Sequence, residues 1–229
     1  MQTPPLVIYI FCYAMVFILS LVSKKEGSQR LIKDDGSISD KPGNIIGLHL
    51  IGIMWLGLVP VFALKLPVLK TLTGSGLQDS SLLIIFLVLL TLTAGAAIRA
   101  GKNVQQQILN ADHNNFQLPA AYAIRYFIIR IIFLFVYELW FRGFLLFYCI
   151  ETIGILLAVS VNVLLYVMLH LFNTKKEMLA CIPFGLMACW LCILFNAVWP
   201  AVVLHITFSL LYEINIYQSH FTTSKTARV

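Results

Sequence analysis

The feature of this sequence that most restricts its fold is a series of long apolar runs with almost no charged side chains. A helix needs about 20 mostly apolar residues to cross the hydrocarbon core of a bilayer. Because the runs are continuous and do not alternate, they predict helices and not the strands of a membrane barrel. We therefore expect an all-α bundle of about seven transmembrane helices, at about 4–22, 45–64, 82–98, 120–150, 153–172, 178–195 and 197–215.

The charge content excludes most other classes of protein. Only 11% of the 229 residues are charged and 60% are hydrophobic, whereas soluble domains are about 25% charged and 45–50% apolar. So few charges cannot cover a water-facing surface, which excludes a soluble globular protein, a disordered chain and a secreted disulfide scaffold. The five cysteines lie in apolar segments, and we expect them to pack as small apolar residues. The net charge of +6 favours membrane lipid and not nucleic acid as the partner.

The basic residues predict an orientation. If the N-terminus is outside and the C-terminus inside, 13 of the 16 Lys and Arg residues fall in inside segments, and only Lys65 and Lys70 fall outside. The first run has no basic residue before it, so we expect a retained helix and not a cleaved signal peptide. We expect an integral membrane protein that is located in the bacterial plasma membrane.

We divide the chain into three parts of one integral domain. Residues 1–118 form the N-terminal helices and loops, with 99–117 expected as a polar loop. Residues 119–215 form the core, and 216–229 a polar cytoplasmic tail.

Four of the ionisable residues in the predicted spans stand out, because such groups are costly in a bilayer and usually face a partner in the bundle. Glu138 and Arg142 are four residues apart, which places them on one helix face within reach of an ion pair. Counting about 1.5 Å of rise per residue brings His170 and His205 to a similar depth on other spans.

Two further residues look less specific. We expect His49, near the start of its span, to be structural or interfacial. Glu213 lies near the cytoplasmic end of the last span, where we expect solvent to reach it.

This group of residues permits several kinds of chemistry. A carboxylate and a neutral histidine can hold and deprotonate water. A second histidine can donate to the oxyanion that forms when water attacks a carbonyl. Two histidines and a carboxylate can also bind a catalytic zinc ion. Both arrangements indicate peptide hydrolysis in the membrane, while a proton relay in a transporter remains an alternative.

Three short motifs resemble the CAAX protease and bacteriocin-processing family, also called CPBP or Abi, over about residues 120–212. They are Glu138-Leu-Trp-Phe-Arg142-Gly143, Tyr166-Val-Met-Leu-His170 and Trp199-Pro-Ala-Val-Val-Leu-His205-Ile-Thr-Phe-Ser209. The family pattern is Glu-Glu-x-x-x-Arg, Phe-x-x-x-His and His-x-x-x-Asn or Asp on successive transmembrane helices. Gly185 also looks similar.

The resemblance implies roles for the matching residues. Glu138 and His170 would activate water, Arg142 would orient Glu138, and His205 with Ser209 would stabilise the oxyanion. Two departures bear on activity, since Tyr137 stands in place of the first Glu and Ser209 in place of Asn or Asp. A phenol with a pKa of about 10 is a poor base at pH 7, so we expect Tyr137 only to donate a hydrogen bond.

The sequence thus predicts an intramembrane endopeptidase that hydrolyses a peptide bond near the cytoplasmic face. Its expected partners are lipid and a protein or peptide substrate, with membrane-anchored substrates included. No cofactor is expected, and the alternative is a divalent metal such as zinc on Glu138, His170 and His205. An inactive relative that serves as an immunity or partner-binding scaffold is a second hypothesis. A small transporter or proton relay is a third, which the lack of an inverted repeat disfavours.

Overall fold

The structure is a computed structural model that describes residues 5–25, 31, 39, 42–74, 80–110, 120–171 and 175–226. Within these ranges every regular element is a helix. The elements are α1 (Pro5–Lys25), α2 (Pro42–Ile53), α3 (Val59–Leu64), α4 (Val68–Thr73), α5 (Ser80–Asn110), α6 (Ala120–Glu138), α7 (Leu146–Ile153), α8 (Ile155–Leu169), α9 (Lys175–Phe195) and α10 (Trp199–Thr226). Two π-helical segments, Met54–Leu58 and Leu139–Leu145, join α2 to α3 and α6 to α7.

The predicted helical membrane bundle is confirmed, with a difference in the number of spans. Six helices in the described ranges are long and apolar enough to cross a bilayer. The fifth of the seven expected spans, 153–172, is only the 15-residue α8, which is about 22 Å long against a hydrocarbon core of about 30 Å. Gly154, with φ of 82°, separates α8 from α7. At its other end α8 stops at Leu169, one residue before His170. The N-out, C-in orientation depends on this parity and stays a prediction.

Two other expectations concern the boundaries of these segments. The polar loop expected at 99–117 is wrong in its first part, because α5 continues to Asn110 and packs along α10. A Cβ on Gly101 would lie 2.9 Å from the Cβ of Asn215, so the absent side chain allows this close approach. The predicted boundary at 118/119 lies outside the described residues. Helix α10 continues into the predicted tail as far as Thr226.

The centre of the bundle is the continuous segment formed by α6, the second π-helical segment and α7. All seven residues of Leu139–Leu145 are buried, whereas α1 and α5 present many exposed apolar side chains. That distribution suits a lipid environment, in which polar groups are placed inside the bundle. The five cysteines all lie in described helices, where they are buried and form no disulfide.

Neighbouring helices support this central π-helical segment. π-helical hydrogen bonds run from residue i to i+5 and frequently occur at functional sites. The buried Asn162 of α8 donates from Nδ2 to the carbonyl oxygen of Phe141 at 2.6 Å. A Cβ on Gly143 would lie 2.8 Å from Cγ2 of Thr71, so the glycine allows α4 to pack closely.

A tight turn before α10 positions its site residues. Asn196 has a positive φ of 46°, and the backbone N–H of Val198 donates to the carbonyl oxygen of Thr71. Pro200 then occupies the first turn of α10, where its missing N–H removes no helical hydrogen bond. The turn starts the helix that carries His205, Ser209 and Glu213.

Candidate active site

The expected ion pair between Glu138 and Arg142 is present at the centre of the bundle. Both side chains are fully buried, and Nη1 of Arg142 lies 3.2 Å from the Glu138 carboxylate. Two charges in such surroundings are tolerated only because each compensates the other. The i, i+4 spacing read from the sequence therefore predicted this contact correctly.

Helices α8 and α9 enclose the guanidinium group of Arg142. Its Cζ lies 4.2 Å from the ring centroid of Tyr166, a distance that permits a cation–π interaction. A Cβ on Gly185 would lie 3.5 Å from Nη2 of Arg142 and 3.3 Å from the Tyr166 ring. Gly185 thus leaves room for both side chains between the helices.

His205 joins the ion pair from α10. Its Nδ1 lies 2.5 Å from Oε1 of Glu138, and 13% of its side chain is exposed. A carboxylate on Nδ1 fixes the orientation of a histidine ring and determines the role of its second nitrogen. We name Glu138, Arg142, Tyr166 and His205 the Glu138 cluster.

A cavity of about 140 Å³ adjoins the Glu138 cluster. His205, His170 and Tyr137 line it, but Glu138 does not. A volume of this size has room for several water molecules. The carboxylate of Glu138 therefore borders the cavity only through the ring of His205.

His170 and Tyr137 reach the cavity in different ways. His170 follows the last turn of α8 and donates from Nδ1 to the carbonyl oxygen of Tyr166 at 2.9 Å, which makes Nε2 the acceptor nitrogen of the neutral ring. Tyr137 contributes its ring, whose centroid lies 5.9 Å from that of His205. Its hydroxyl is buried and makes no hydrogen bond within the described part of the chain, so the hydrogen bond expected of Tyr137 is not formed there.

Ser209 belongs to a different group of polar residues. Its hydroxyl donates to Oε1 of Glu213 at 3.2 Å and accepts from Nη2 of Arg130 at 3.3 Å. The resemblance predicts that the Ser209 hydroxyl donates to an oxyanion. In the structure this hydroxyl donates to Glu213 instead. His205 and Ser209 lie one helical turn apart on α10, but their side chains have different partners.

Arg130 is the centre of this second group. Its Nη2 lies 3.2 Å from Oε1 of Glu213, and its Nη1 lies 3.0 Å from Nε2 of His49. Tyr126 donates its hydroxyl to Oε2 of Glu213 at 2.8 Å. We name Tyr126, Arg130, His49, Ser209 and Glu213 the Arg130 cluster.

Two expectations about the Arg130 cluster can now be compared with its geometry. Glu213 is only 8% exposed, so the expectation that solvent reaches it is wrong; its partners on α6 cover it. His49 is buried with contacts at both ring nitrogens, since Nδ1 donates to the carbonyl oxygen of Ile45 at 2.7 Å. This arrangement agrees with the structural role expected for His49.

Sequence reasoning missed the parts that Arg130 and Glu177 play. Arg130 lines the cavity together with His49 and Glu177. A spacing in the sequence does indicate the contact of Arg130 with Glu213. Arg130 precedes Glu138 by eight residues, and His205 precedes Glu213 by eight. No local pattern marked Glu177, which is in the first turn of α9.

The residues proposed as metal ligands do not form a preassembled site. Within the described ranges, no three His, Cys, Asp or Glu side chains are grouped closely enough to hold a metal ion. Glu138 lies behind His205 and contacts the Nδ1 nitrogen of that ring. The set of Glu138, His170 and His205 therefore does not fit a zinc ion in this geometry.

Comparison with protein families agrees with the motifs. The model of the family described as "Rce1-like: Type II CAAX prenyl endopeptidase Rce1-like" matches residues 118–211. This range runs from α6 into α10 and contains Glu138, Arg142, His170, His205 and Ser209. It confirms the resemblance read from the sequence and supports a membrane protease. Searches of curated proteins and of solved structures found no match.

Proposed function

We propose that the chain is an intramembrane endopeptidase, because the model of the Rce1-like family of CAAX prenyl endopeptidases matches residues 118–211. Its substrate is a membrane-anchored protein or peptide, cut at a peptide bond near the cytoplasmic face. The observation that carries this proposal is His205, whose ring is held by the buried Glu138 and lines the same cavity as His170.

In this proposal His205 stabilises the oxyanion. In its imidazolium form it donates Nδ1–H to Glu138 and presents Nε2–H to the cavity. A donor of this kind, fixed before the reaction, lowers the energy of the negative charge that develops on the carbonyl oxygen. Glu138 is then a positioning residue, since its carboxylate is buried behind the ring, and Arg142 holds that carboxylate in place.

His170 binds the attacking water. With Nδ1–H bonded to the carbonyl oxygen of Tyr166, the neutral ring accepts through Nε2. Water bound there attacks the carbonyl carbon, and the oxyanion forms toward His205. The water gives up one proton as it attacks. When the intermediate collapses and the C–N bond breaks, the leaving nitrogen takes up that proton.

The test is cleavage by the full chain in proteoliposomes. The substrate is a farnesylated peptide with a CAAX C-terminus, and mass spectrometry detects the released tripeptide. We expect cleavage by the wild type and a loss of about 100-fold or more in His205→Ala, as is typical of removing an acid–base or oxyanion group. Glu151→Gln, which changes an exposed carboxylate on α7, should cleave like the wild type.

A folded wild type that cleaves neither farnesylated, geranylgeranylated nor unmodified peptides would overturn the proposal. That outcome would favour the scaffold hypothesis, in which the cavity binds a partner without chemistry. Proton flux across the same vesicles, without cleavage, would favour the relay.

A further inference from the structure

The cavity contains a carboxylate that the three motifs do not include. Of the described residues that line it, only Glu177 is acidic. Glu177 lies in the first turn of α9, seven positions after His170, and the two side chains share the cavity with Tyr137 and His205. The first turn of α9 thus places an acidic side chain at the cavity that His170 borders.

The position of Glu177 provides two interactions that stabilise negative charge. The N-terminal end of a helix stabilises negative charge through its unpaired N–H groups. Arg130 also lines the cavity and lies within electrostatic reach of Glu177. Glu177 is half-buried, so it contacts the cavity without the desolvation that a fully buried carboxylate undergoes.

The other candidates for a base either do not line the cavity or are weak bases. Glu138 is fully buried and does not line the cavity. Tyr137 brings an aromatic ring to the cavity wall, and a phenol is a weak base near neutral pH. Glu213 accepts from Tyr126, Arg130 and Ser209 and does not line the cavity.

We propose that Glu177 is a further catalytic residue, the base that takes the proton of the attacking water. This inference rests on the proposed endopeptidase function. The water is held between the Glu177 carboxylate and Nε2 of His170. As its oxygen bonds to the carbonyl carbon, one proton passes to Glu177 and the carbonyl electron pair moves to the oxygen beside His205. When the C–N bond breaks, Glu177 returns the proton to the leaving nitrogen and is again a carboxylate.

The experiment compares Glu177→Gln with Glu151→Gln in the proteoliposome assay. Both changes remove one carboxylate at nearly constant shape, and only Glu177 lines the cavity. We expect kcat to fall by about 100-fold or more in Glu177→Gln, with KM nearly unchanged. Glu151→Gln should retain wild-type kcat. Size-exclusion elution and thermal unfolding in detergent verify that each variant is folded.

A second variant separates catalysis from structure. Tyr137→Glu supplies a carboxylate at another position on the cavity wall, so the double variant Tyr137→Glu/Glu177→Gln should regain part of the lost kcat. Glu177→Asp, which keeps the charge on a shorter side chain, should retain more activity than Glu177→Gln.

The outcomes distinguish the two proposals. Wild-type activity in folded Glu177→Gln overturns the role of Glu177 and leaves the endopeptidase intact. The same holds for a reduced kcat that Tyr137→Glu does not rescue. If the folded wild type cleaves no peptide, the endopeptidase itself fails, and the role of Glu177 fails with it.

Discussion

The Glu138 and Arg130 clusters both lie between α6 and α10, and both pair a buried glutamate with an arginine. Both clusters also border the cavity, but the side chains that line it differ in their ability to exchange protons. The Glu138 cluster presents His205, of which one nitrogen is held by Glu138. The Arg130 cluster presents Arg130, which stays protonated in proteins, and His49, whose two nitrogens already have contacts.

The glutamates differ in the same way. Glu213 accepts from Tyr126, Ser209 and Arg130, so three side chains on two helices stabilise its charge. The Glu138 carboxylate contacts Arg142 and His205, and the imidazole of His205 can exchange protons. The comparison indicates that one cluster fixes α2, α6 and α10 together and that the other supports chemistry.

Glu138→Gln should have the largest effect, because it acts on both stability and activity. Removing one partner of a buried ion pair typically costs about 3–5 kcal/mol, and the ring of His205 loses its anionic partner. We expect no detectable cleavage and a large drop in the midpoint of thermal unfolding in detergent. Retention of cleavage would contradict the distinction between the clusters.

His170→Ala should reduce activity with little change in stability. The group that binds water is lost, and we expect kcat/KM to fall by about 10²–10⁴-fold. His49→Ala is the matched variant from the other cluster, and it should lower the unfolding midpoint more than it lowers kcat/KM. Equal effects of the two histidines on activity would remove the difference between the clusters.

Glu213→Gln should mainly destabilise. An uncompensated Arg130 remains in a largely buried position, so we expect a loss of about 1–3 kcal/mol in the free energy of unfolding. Activity below the new melting temperature should fall less than about tenfold, far less than in a lost acid–base group. Loss of cleavage at unchanged stability would instead place Glu213 in the catalytic machinery.

Ser209→Ala should have the smallest effect. If Ser209 serves the Arg130 cluster, its loss costs about 1 kcal/mol of stability and leaves kcat within about threefold of the wild type. An oxyanion donor would instead account for about 10²–10³ in kcat. The kcat of this variant therefore distinguishes two roles for Ser209. One is the oxyanion donor that the motif implies, and the other is a structural partner of Glu213 and Arg130.

Much of the site was available from helix geometry. The apolar runs predicted the bundle, and the four-residue spacing predicted the contact of Glu138 with Arg142. A second pair of equal spacings in the sequence also predicts contacts between helices. Arg130 and Glu138 are separated by about 12 Å along α6, as are His205 and Glu213 along α10. Antiparallel neighbours with this spacing can form both pairs at once, and the structure contains both.

The sequence by itself determined the class of the protein, its family motifs and the contacts within each helix, because rise and turn per residue are nearly constant. It left open which carboxylate reaches the cavity. Neighbouring positions such as Tyr137 and Glu138 differ by about 100° around a helix, and the rotation of α6 against α8 and α10 decides which one faces inward. Only the tertiary structure bonded Glu138 to His205 and Ser209 to Arg130 and brought Glu177 and His170 to the same cavity, because packing between helices has no counterpart in local spacing.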